Sequence, residues 1–299
     1  MPIMRKQALG LPYMGSKKKL AGKIVSTILK YSPETEYIYD LFGGGGAISF
    51  EFMKYPQIKQ VFYNELNTGV VELLKKIQKD GVTKEFYKWV SREDFNKNKN
   101  RDDWIGGLTK VVWSFANNQK GYMYSKKIEE DKKILHEIIV DKNEKSLKEF
   151  NQKYNTNISM NRTLFNEDST QERRLFILSQ IKKQKFRCQH LESLQHLERF
   201  QGSTSFNILN KSYKDVKIIT PEDKTIIYCD PPYEDTSQYQ EKFNIEEFKQ
   251  WVKECPYKIF VSSYSFPLQE IASFEHRCTS SATQNQKVIE KLFYKGETK

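Results

Sequence analysis

The chain has few cysteines and histidines, and neither type is spaced as a metal site or a disulfide framework requires. Four cysteines stand among 299 residues, at positions 188, 229, 255 and 278, without a C-x-x-C pair. The four histidines are equally scattered, at positions 136, 190, 196 and 276. We therefore expect free thiols in a reducing cytoplasm and no bound metal ion.

Long hydrophobic runs are also missing. No apolar segment approaches the ~20 residues of a membrane-spanning helix, and the first residues lack the apolar core of a secretory signal. These absences predict a cytoplasmic protein that does not contact a membrane. The length is sufficient to bury a large core in one or two domains.

Acidic residues are outnumbered by basic ones. Lys+Arg 49 against Asp+Glu 38 gives a formal net charge of +11 and a pI of about 9.2. Such a surplus favours a polyanionic partner. Lysine-rich chains are also common in AT-rich genomes, so the charge alone leaves the partner open.

The most informative segment is Asp230-Pro231-Pro232-Tyr233, which follows a predicted buried strand over residues 225–229. Each proline fixes its own φ and lacks an N–H, so this backbone does not form an ordinary tight turn. A carboxylate oxygen of Asp230 and the carbonyl of Pro231 can accept both hydrogens of an exocyclic amine. The Tyr233 ring can then stack on the base that carries the amine. The alternative interpretation is a proline-bracketed turn with Asp230 as a local cap.

A second strand-to-helix turn contains four consecutive glycines, at 43–46. It lies between a short predicted strand that ends at Asp40 and a helix predicted over 47–53. Glycines let the backbone approach a ligand closely, and the helix N-terminus offers N–H donors. An NAD site requires G-x-G-x-x-G, but Ile48 and Ser49 stand where the third glycine is needed. The turn therefore favours a nucleotide-like ligand other than NAD, with a glycine loop that binds nothing as the alternative.

A third predicted strand, over residues 60–64, ends next to Glu65. An acid at this point of a doubly wound fold accepts the hydroxyls of a ribose. Glu65 is the candidate, and Asn64 is expected to brace it.

These motifs resemble those of amino-methyltransferases that use S-adenosylmethionine. The similarity is closest to the DNA adenine methylases of the Dam and DpnII types, including phage and prophage enzymes. In that family Asp-Pro-Pro-Tyr goes mainly with adenine N6. The resemblance implies an α/β fold: a Rossmann-like S-adenosylmethionine-dependent methyltransferase sheet with a helical target-recognition insertion. We place the catalytic and cofactor-binding domain at residues 1–85 and 191–299, and the DNA-binding insertion at 86–190.

The resemblance also implies which residues form the site. The catalytic set is Asp230, Pro231, Pro232 and Tyr233. Tyr13 and Lys17 match an N-terminal motif that lies against the cofactor, where Lys17 would neutralise its carboxylate. Residues of the later motifs complete the cofactor set: Asp40, Phe42, Gly43, Gly45, Glu65, Ser212, Tyr213 and Asp230. One departure is that the ribose acid is often aspartate in the family, whereas it is Glu65 here.

A polar loop after an aromatic segment is the candidate DNA reader. Its side chains are suited to base edges, phosphates and stacking: Asn117, Asn118, Gln119, Lys120, Tyr122, Lys126 and Lys127. The alternative is an aromatic helix that packs on the core and ends in a polar loop.

We therefore predict a site-specific methyltransferase that acts on a flipped adenine in double-stranded DNA, with a cognate restriction endonuclease as a possible partner. Two alternatives remain open at this point. One is methylation of cytosine N4, RNA or a protein amide, which the aspartate at 230 disfavours. The other is a nucleic-acid-binding protein with a degenerate nucleotide fold and no catalysis.

Overall fold

The structure, a computed structural model, describes residues 10–13, 15–159, 169–181, 186–198, 205–232, 243–281 and 284–296. Seven strands form one sheet: β1 (Tyr37–Asp40), β2 (Gln60–Asn64), β3 (Phe206–Leu209), β4 (Thr225–Cys229), β5 (Lys258–Ser263), β6 (Gln269–Ser281) and β7 (Gln284–Lys295). Their order across the sheet is β3-β2-β1-β4-β5-β7-β6. The first five strands are parallel, and β7 runs antiparallel to both of its neighbours.

Ten α-helices lie in the described part of the chain. They are α1 (Ala21–Tyr31), α2 (Ala47–Phe52), α3 (Thr68–Asp80), α4 (Arg92–Asn98), α5 (Trp104–Trp113), α6 (Lys126–Ile139), α7 (Glu144–Tyr154), α8 (Thr170–Ile181), α9 (Gln189–Glu198) and α10 (Ile245–Glu254). The mixed α/β class and the Rossmann-like sheet predicted from the sequence are confirmed.

The central strands are buried on both faces, as expected for parallel strands covered by helices. All five residues of β4 are buried. Ile226 belongs to the core that includes α1 and α3, whereas its neighbour Ile227 belongs to the core that includes α10. The alternation of side chains along a strand thus divides the protein into two hydrophobic layers.

The C-terminal end of the sheet is antiparallel. β7 begins at Gln284 and lies between β5 and β6. Pairing with β7 holds β6 at the edge of the sheet.

The helical segment between α3 and β3 packs closely against the sheet domain. Helices α4 to α9 occupy this segment, and the predicted boundary at 190 falls inside α9. Two glycines allow the close approach of α5 to α3: a Cβ atom on Gly107 would lie 1.9 Å from the carbonyl oxygen of Gly69. The start of this helical segment is therefore fixed against a helix that follows β2.

Candidate active site

Four adjacent parallel strands bring the predicted motifs to one edge of the sheet. The glycine turn follows β1, Glu65 follows β2, the 210–213 loop follows β3, and Asp230 follows β4. The chain leaves β1 towards β2 and β3 on one side, while β4 and β5 lie on the other. Ligands of open α/β sheets bind at such a reversal of strand order, outside the carboxyl ends of the strands.

The glycine turn is shaped by its neighbours. A Cβ atom on Gly43 would lie 2.2 Å from the Tyr63 ring, so no larger residue fits there. Gly46 precedes α2 with a φ of 72°, in the left-handed region that favours glycine. Tyr13 lies against the same turn, because a Cβ on Gly45 would come within 2.9 Å of its Cβ. The structure thus brings together the predicted residues Tyr13, Gly43 and Gly45.

The Glu65 carboxylate is buried beside the glycine turn. Its two oxygens each accept a backbone N–H, Oε2 from Gly44 and Oε1 from Asn67, both at 2.8 Å. Burial raises the pKa of Glu65, and these two bonds oppose the shift. Each carboxylate oxygen has a further lone pair, which suits the paired hydroxyls of a ribose.

Asn64 holds two loops of the site together instead of bracing Glu65. Its amide nitrogen donates to the carbonyls of Leu41 (3.1 Å) and Lys211 (2.9 Å), and its oxygen accepts the N–H of Lys211. The 211 loop continues into the half-buried Ser212 and into Tyr213. The Tyr213 ring packs against that of Phe42 at 5.4 Å, so these two predicted residues form one apolar wall beside the glycine turn.

Lys17 makes an ion pair with the predicted catalytic carboxylate. Its ammonium lies 2.8 Å from Asp230 Oδ1 and 3.7 Å from Glu290 Oε2, and its side chain is only 7% exposed. Burial lowers the pKa of Lys17, but the two carboxylates together raise it above its ordinary value. Burial raises the pKa of Asp230, and Lys17 opposes that shift. Lys17 therefore favours the ionised form of Asp230.

Asp40 lies in the same buried region, where Ser49 Oγ donates to its Oδ2 at 2.6 Å. Burial raises the pKa of Asp40 to about 7. The bond from Ser49 opposes the shift, and the charges of Asp230 and Glu65 add to it.

The polar atoms of the candidate site are not all satisfied by described parts of the protein. Within the described part of the chain, Asp40 Oδ1, Ser16 Oγ and the Tyr213 hydroxyl are buried without a hydrogen-bond partner. A buried polar group without a partner costs free energy comparable to a lost hydrogen bond. Together with Glu65 and the glycine turn, these atoms fit a polar, cationic nucleoside such as S-adenosylmethionine.

The predicted DNA-reading loop follows α5 and has an unusual backbone. Ala116, Asn117 and Gln119 have φ values of 49°, 60° and 60°, which non-glycine residues adopt only rarely. Asn118 Oδ1 accepts the N–H groups of Lys120 and Gly121, so it stabilises the loop itself.

The basic residues of the loop region face solvent, but Tyr122 does not. Lys120, Lys126 and Lys127 are exposed. Tyr122 is buried and stacks on Trp113, and its hydroxyl donates to the carbonyl of Val90 at 2.8 Å. The prediction that Tyr122 contacts DNA does not agree with this packing, because its ring and hydroxyl are already used inside the protein.

Several side chains at the site were missed from the sequence. Glu290 is buried beside Lys17, and Lys110 on α5 donates to Asn67 Oδ1 at 3.4 Å. Leu66 follows Glu65 and is 66% exposed, so it presents an apolar surface at the site. None of these residues carries a local motif, so the sequence offered no signal for them.

The structure describes only the first three residues of the Asp-Pro-Pro-Tyr motif. Pro231 is buried and Pro232 half-buried, whereas Tyr233 lies outside the described residues. Among the residues that the structure describes, no group of three or more His, Cys, Asp or Glu side chains is arranged to hold a metal ion. No helix in that part of the chain is long and apolar enough to cross a membrane.

Comparison with known proteins agrees with the geometry. Residues 13–256 match the family model described as D12 class N6 adenine-specific DNA methyltransferase. The match begins at Tyr13 and includes the glycine turn, Glu65, the helical segment and Asp230. A search of curated proteins finds no matching relative. Because the match covers most of the chain, the protein belongs to the D12 class of N6 adenine-specific DNA methyltransferases, and its reaction is the methylation of adenine in DNA.

Proposed function

We propose that the protein methylates adenine N6 at a specific sequence in double-stranded DNA, with S-adenosylmethionine as donor. The main support is the position of Asp230, which follows β4 and lies one strand away from the glycine turn after β1. A cofactor on the glycine turn and an amine on Asp230 would then lie side by side. Since the substrate is DNA, we also propose that the enzyme works in the cytoplasm of a bacterial or phage-infected cell.

The cofactor would lie along the carboxyl edge from β4 to β3. S-adenosylmethionine supplies a methyl group on a sulfonium centre. Glu65 would accept the ribose hydroxyls, and Phe42 and Tyr213 would border the adenine ring, with Ser212 nearby. Asp40 and Tyr13 would lie near the methionine part of the cofactor.

Lys17 has two candidate roles at this site. One is to neutralise the carboxylate of the cofactor, and the other is to hold Asp230 in its ionised form. The ion pair with Asp230 supports the second role.

Catalysis would depend on alignment of the amine. An ionised Asp230 and the Pro231 carbonyl would accept the two N6 hydrogens, which directs the nitrogen lone pair at the methyl carbon. Pro232 stiffens the turn, and Tyr233 is predicted to stack on the flipped base. Methyl transfer would form the N–C bond as the S–C bond of the donor breaks, and the methylated amine would then release one proton to solvent.

Sequence recognition is assigned to the helical segment, at residues 86–190. Lys120, Lys126 and Lys127 are exposed and would contact phosphates. The amide nitrogens of Asn118 and Gln119 are candidates for base edges, and Asn117 is a neighbouring candidate. A cognate restriction endonuclease stays a prediction.

The function is tested by long-read sequencing of DNA from cells that express the protein. We expect N6-methyladenine at one short sequence motif, and none in cells that express Asp230→Ala at equal levels. The variant should still bind DNA, because Asp230 acts on the amine and not on phosphates. Methylation of cytosine, or no methylation by the wild-type protein, would contradict the proposal.

The assignment of Glu65 is tested by cofactor affinity. Glu65→Ala should weaken binding of S-adenosylhomocysteine by ~1.5–3 kcal/mol, the usual contribution of hydrogen bonds to a charged group. Titration calorimetry measures the change. Glu72→Ala is the matched control, since Glu72 is on α3 and pairs with Lys75 on the surface. Equal affinities of the wild type and Glu65→Ala would remove Glu65 from the cofactor site.

The ion pair of Lys17 with Asp230 predicts a pH effect. Activity needs ionised Asp230, so the single-turnover rate falls as the pH drops through the pKa of this residue. Lys17→Met removes the cation that opposes the raised pKa. The acid limb of the pH–rate profile should therefore move to higher pH.

The exposed Lys19, two residues further along, provides a matched control for this experiment. Lys19→Met should leave the position of the acid limb unchanged. A Lys17→Met limb at the wild-type pH would show that Lys17 does not set the ionisation of Asp230.

Phosphate contacts and base contacts predict different results in the loop region. Lys126→Ala should weaken binding to all sequences and reduce the salt slope of the binding constant by roughly one unit. Lys30→Ala is the control, because this exposed lysine lies at the end of α1, which leads to the start of β1 at the opposite edge of the sheet. It should leave the slope unchanged.

Loss of a base contact instead relaxes preference at one base pair, by ~1–3 kcal/mol. Methylation rates of Asn118→Ala and Gln119→Ala on every single-base variant of the target test this assignment. If both variants keep the wild-type preference at all positions, the base reader lies elsewhere in the helical segment.

A further inference from the structure

The recognition loop is linked to the cofactor-binding acid by a short chain of hydrogen bonds. Asn67 Nδ2 donates to Gln119 Oε1 at 3.0 Å. The backbone N–H of the same Asn67 donates to Glu65 Oε1 at 2.8 Å, and Glu65 Oε2 accepts the N–H of Gly44. One residue thus contacts both the loop and the carboxylate assigned to the ribose.

Two further contacts hold Asn67 in place. Its Oδ1 caps α3 by accepting the N–H of Val70 at 3.4 Å, and it also accepts the ammonium of Lys110. Lys110 is on α5, which packs closely against α3 and leads into the recognition loop. Asn67 is therefore fixed on the sheet side, and its remaining donor extends to the loop.

The conformation of Gln119 indicates that this contact constrains the loop. Gln119 has a φ of 60°, and Ala116 and Asn117 also have left-handed backbones. Such conformations persist in proteins only where surrounding contacts impose them, and they cluster at functional sites. The bond to Asn67 uses only the carbonyl oxygen of Gln119, so its amide nitrogen can still donate to a base edge. Phe115, at the start of the same loop, is 60% exposed on this surface.

We propose that Asn67 and Gln119 couple recognition of the target sequence to cofactor binding. The amide nitrogen of Gln119 would contact the target base, while its carbonyl oxygen accepts the hydrogen bond from Asn67. A correct base pair would therefore stabilise the loop conformation that positions Asn67. Asn67 in turn fixes Glu65. The proposal rests on the proposed function, and it makes Asn67 a positioning residue that touches neither substrate directly.

The coupling has a defined sign. Cognate DNA and cofactor both favour the bridged conformation, so each increases the affinity for the other, and by the same factor. DNA with a wrong base pair does not engage Gln119, so it should not increase cofactor affinity. The cofactor would therefore be held most tightly on the sequence that the enzyme methylates.

The experiment measures S-adenosylhomocysteine affinity by titration calorimetry on full-length protein saturated with one of two duplexes. One duplex carries the methylated motif found by sequencing. The other differs from it at one base pair, the position at which Gln119→Ala loses most of the wild-type preference. The wild type should bind S-adenosylhomocysteine about fivefold or more tightly on the first duplex. Asn67→Ser and Gln119→Ala should reduce this ratio to about one.

The variants are chosen to separate coupling from folding. Asn67→Ser keeps an oxygen that caps α3, but its side chain is too short to reach Gln119. Asn210→Ala is the matched control, because Asn210 Nδ2 donates to the carbonyls of Glu65 and Leu66 without contacting the recognition loop. Its affinity is expected to change by the same factor on both duplexes, which leaves the ratio at the wild-type value.

The outcomes separate this proposal from the proposed function. An Asn67→Ser protein that keeps the wild-type ratio, or loses affinity equally on both duplexes, would overturn the coupling. A wild-type ratio of one would do the same. If the wild-type protein methylates no DNA in cells, the proposed function itself fails, and that result is read independently of any affinity.

Discussion

Parallel strands that end side by side bring three carboxylates, of Asp40, Glu65 and Asp230, into one buried region. Burial disfavours each charge, and the mutual repulsion of Asp40 with the other two adds to the cost. The protein offsets this with a different group for each acid: Ser49 for Asp40, backbone N–H groups for Glu65, and Lys17 for Asp230. Among the described residues of this region, the carboxylates outnumber the lysines, Lys17 and Lys110, and this balance is compatible with a cationic ligand. S-adenosylmethionine, with its sulfonium and ammonium groups, has this property.

The second constraint is the glycine contact between α3 and α5. It brings the helical segment against the helix that follows β2, so the loop after α5 reaches the same edge of the sheet as Glu65. A loop on a long flexible connection would be only weakly coupled to the conformation of residues at the sheet edge. Here Gln119 is hydrogen-bonded to Asn67, which also donates to Glu65, and three residues of the loop have left-handed backbones.

Much of the site was predictable because its motifs are local. The glycine turn, Glu65 and Asp230 each follow a short apolar strand, and the order of strands and acids along the chain is enough to place them at one edge of a parallel sheet. Tyr122 shows the limit of this reasoning. Its sequence context is that of a polar loop, but the ring is packed on Trp113 in the core. Whether an aromatic side chain faces solvent depends on how neighbouring helices pack, here α4 and α5.

The sequence by itself determined the fold class and the positions of the glycine turn, Glu65 and Asp230 directly after short buried strands, because each depends on backbone preferences within a few residues. Only the tertiary structure decided which charges meet. The pairing of Lys17 with Asp230 and Glu290 joins residues more than 200 positions apart. The contact of Gln119 with Asn67 joins two domains predicted as separate. Contacts of this kind leave no local pattern, since they arise from the order of strands in the sheet and from the close packing of α5 on α3.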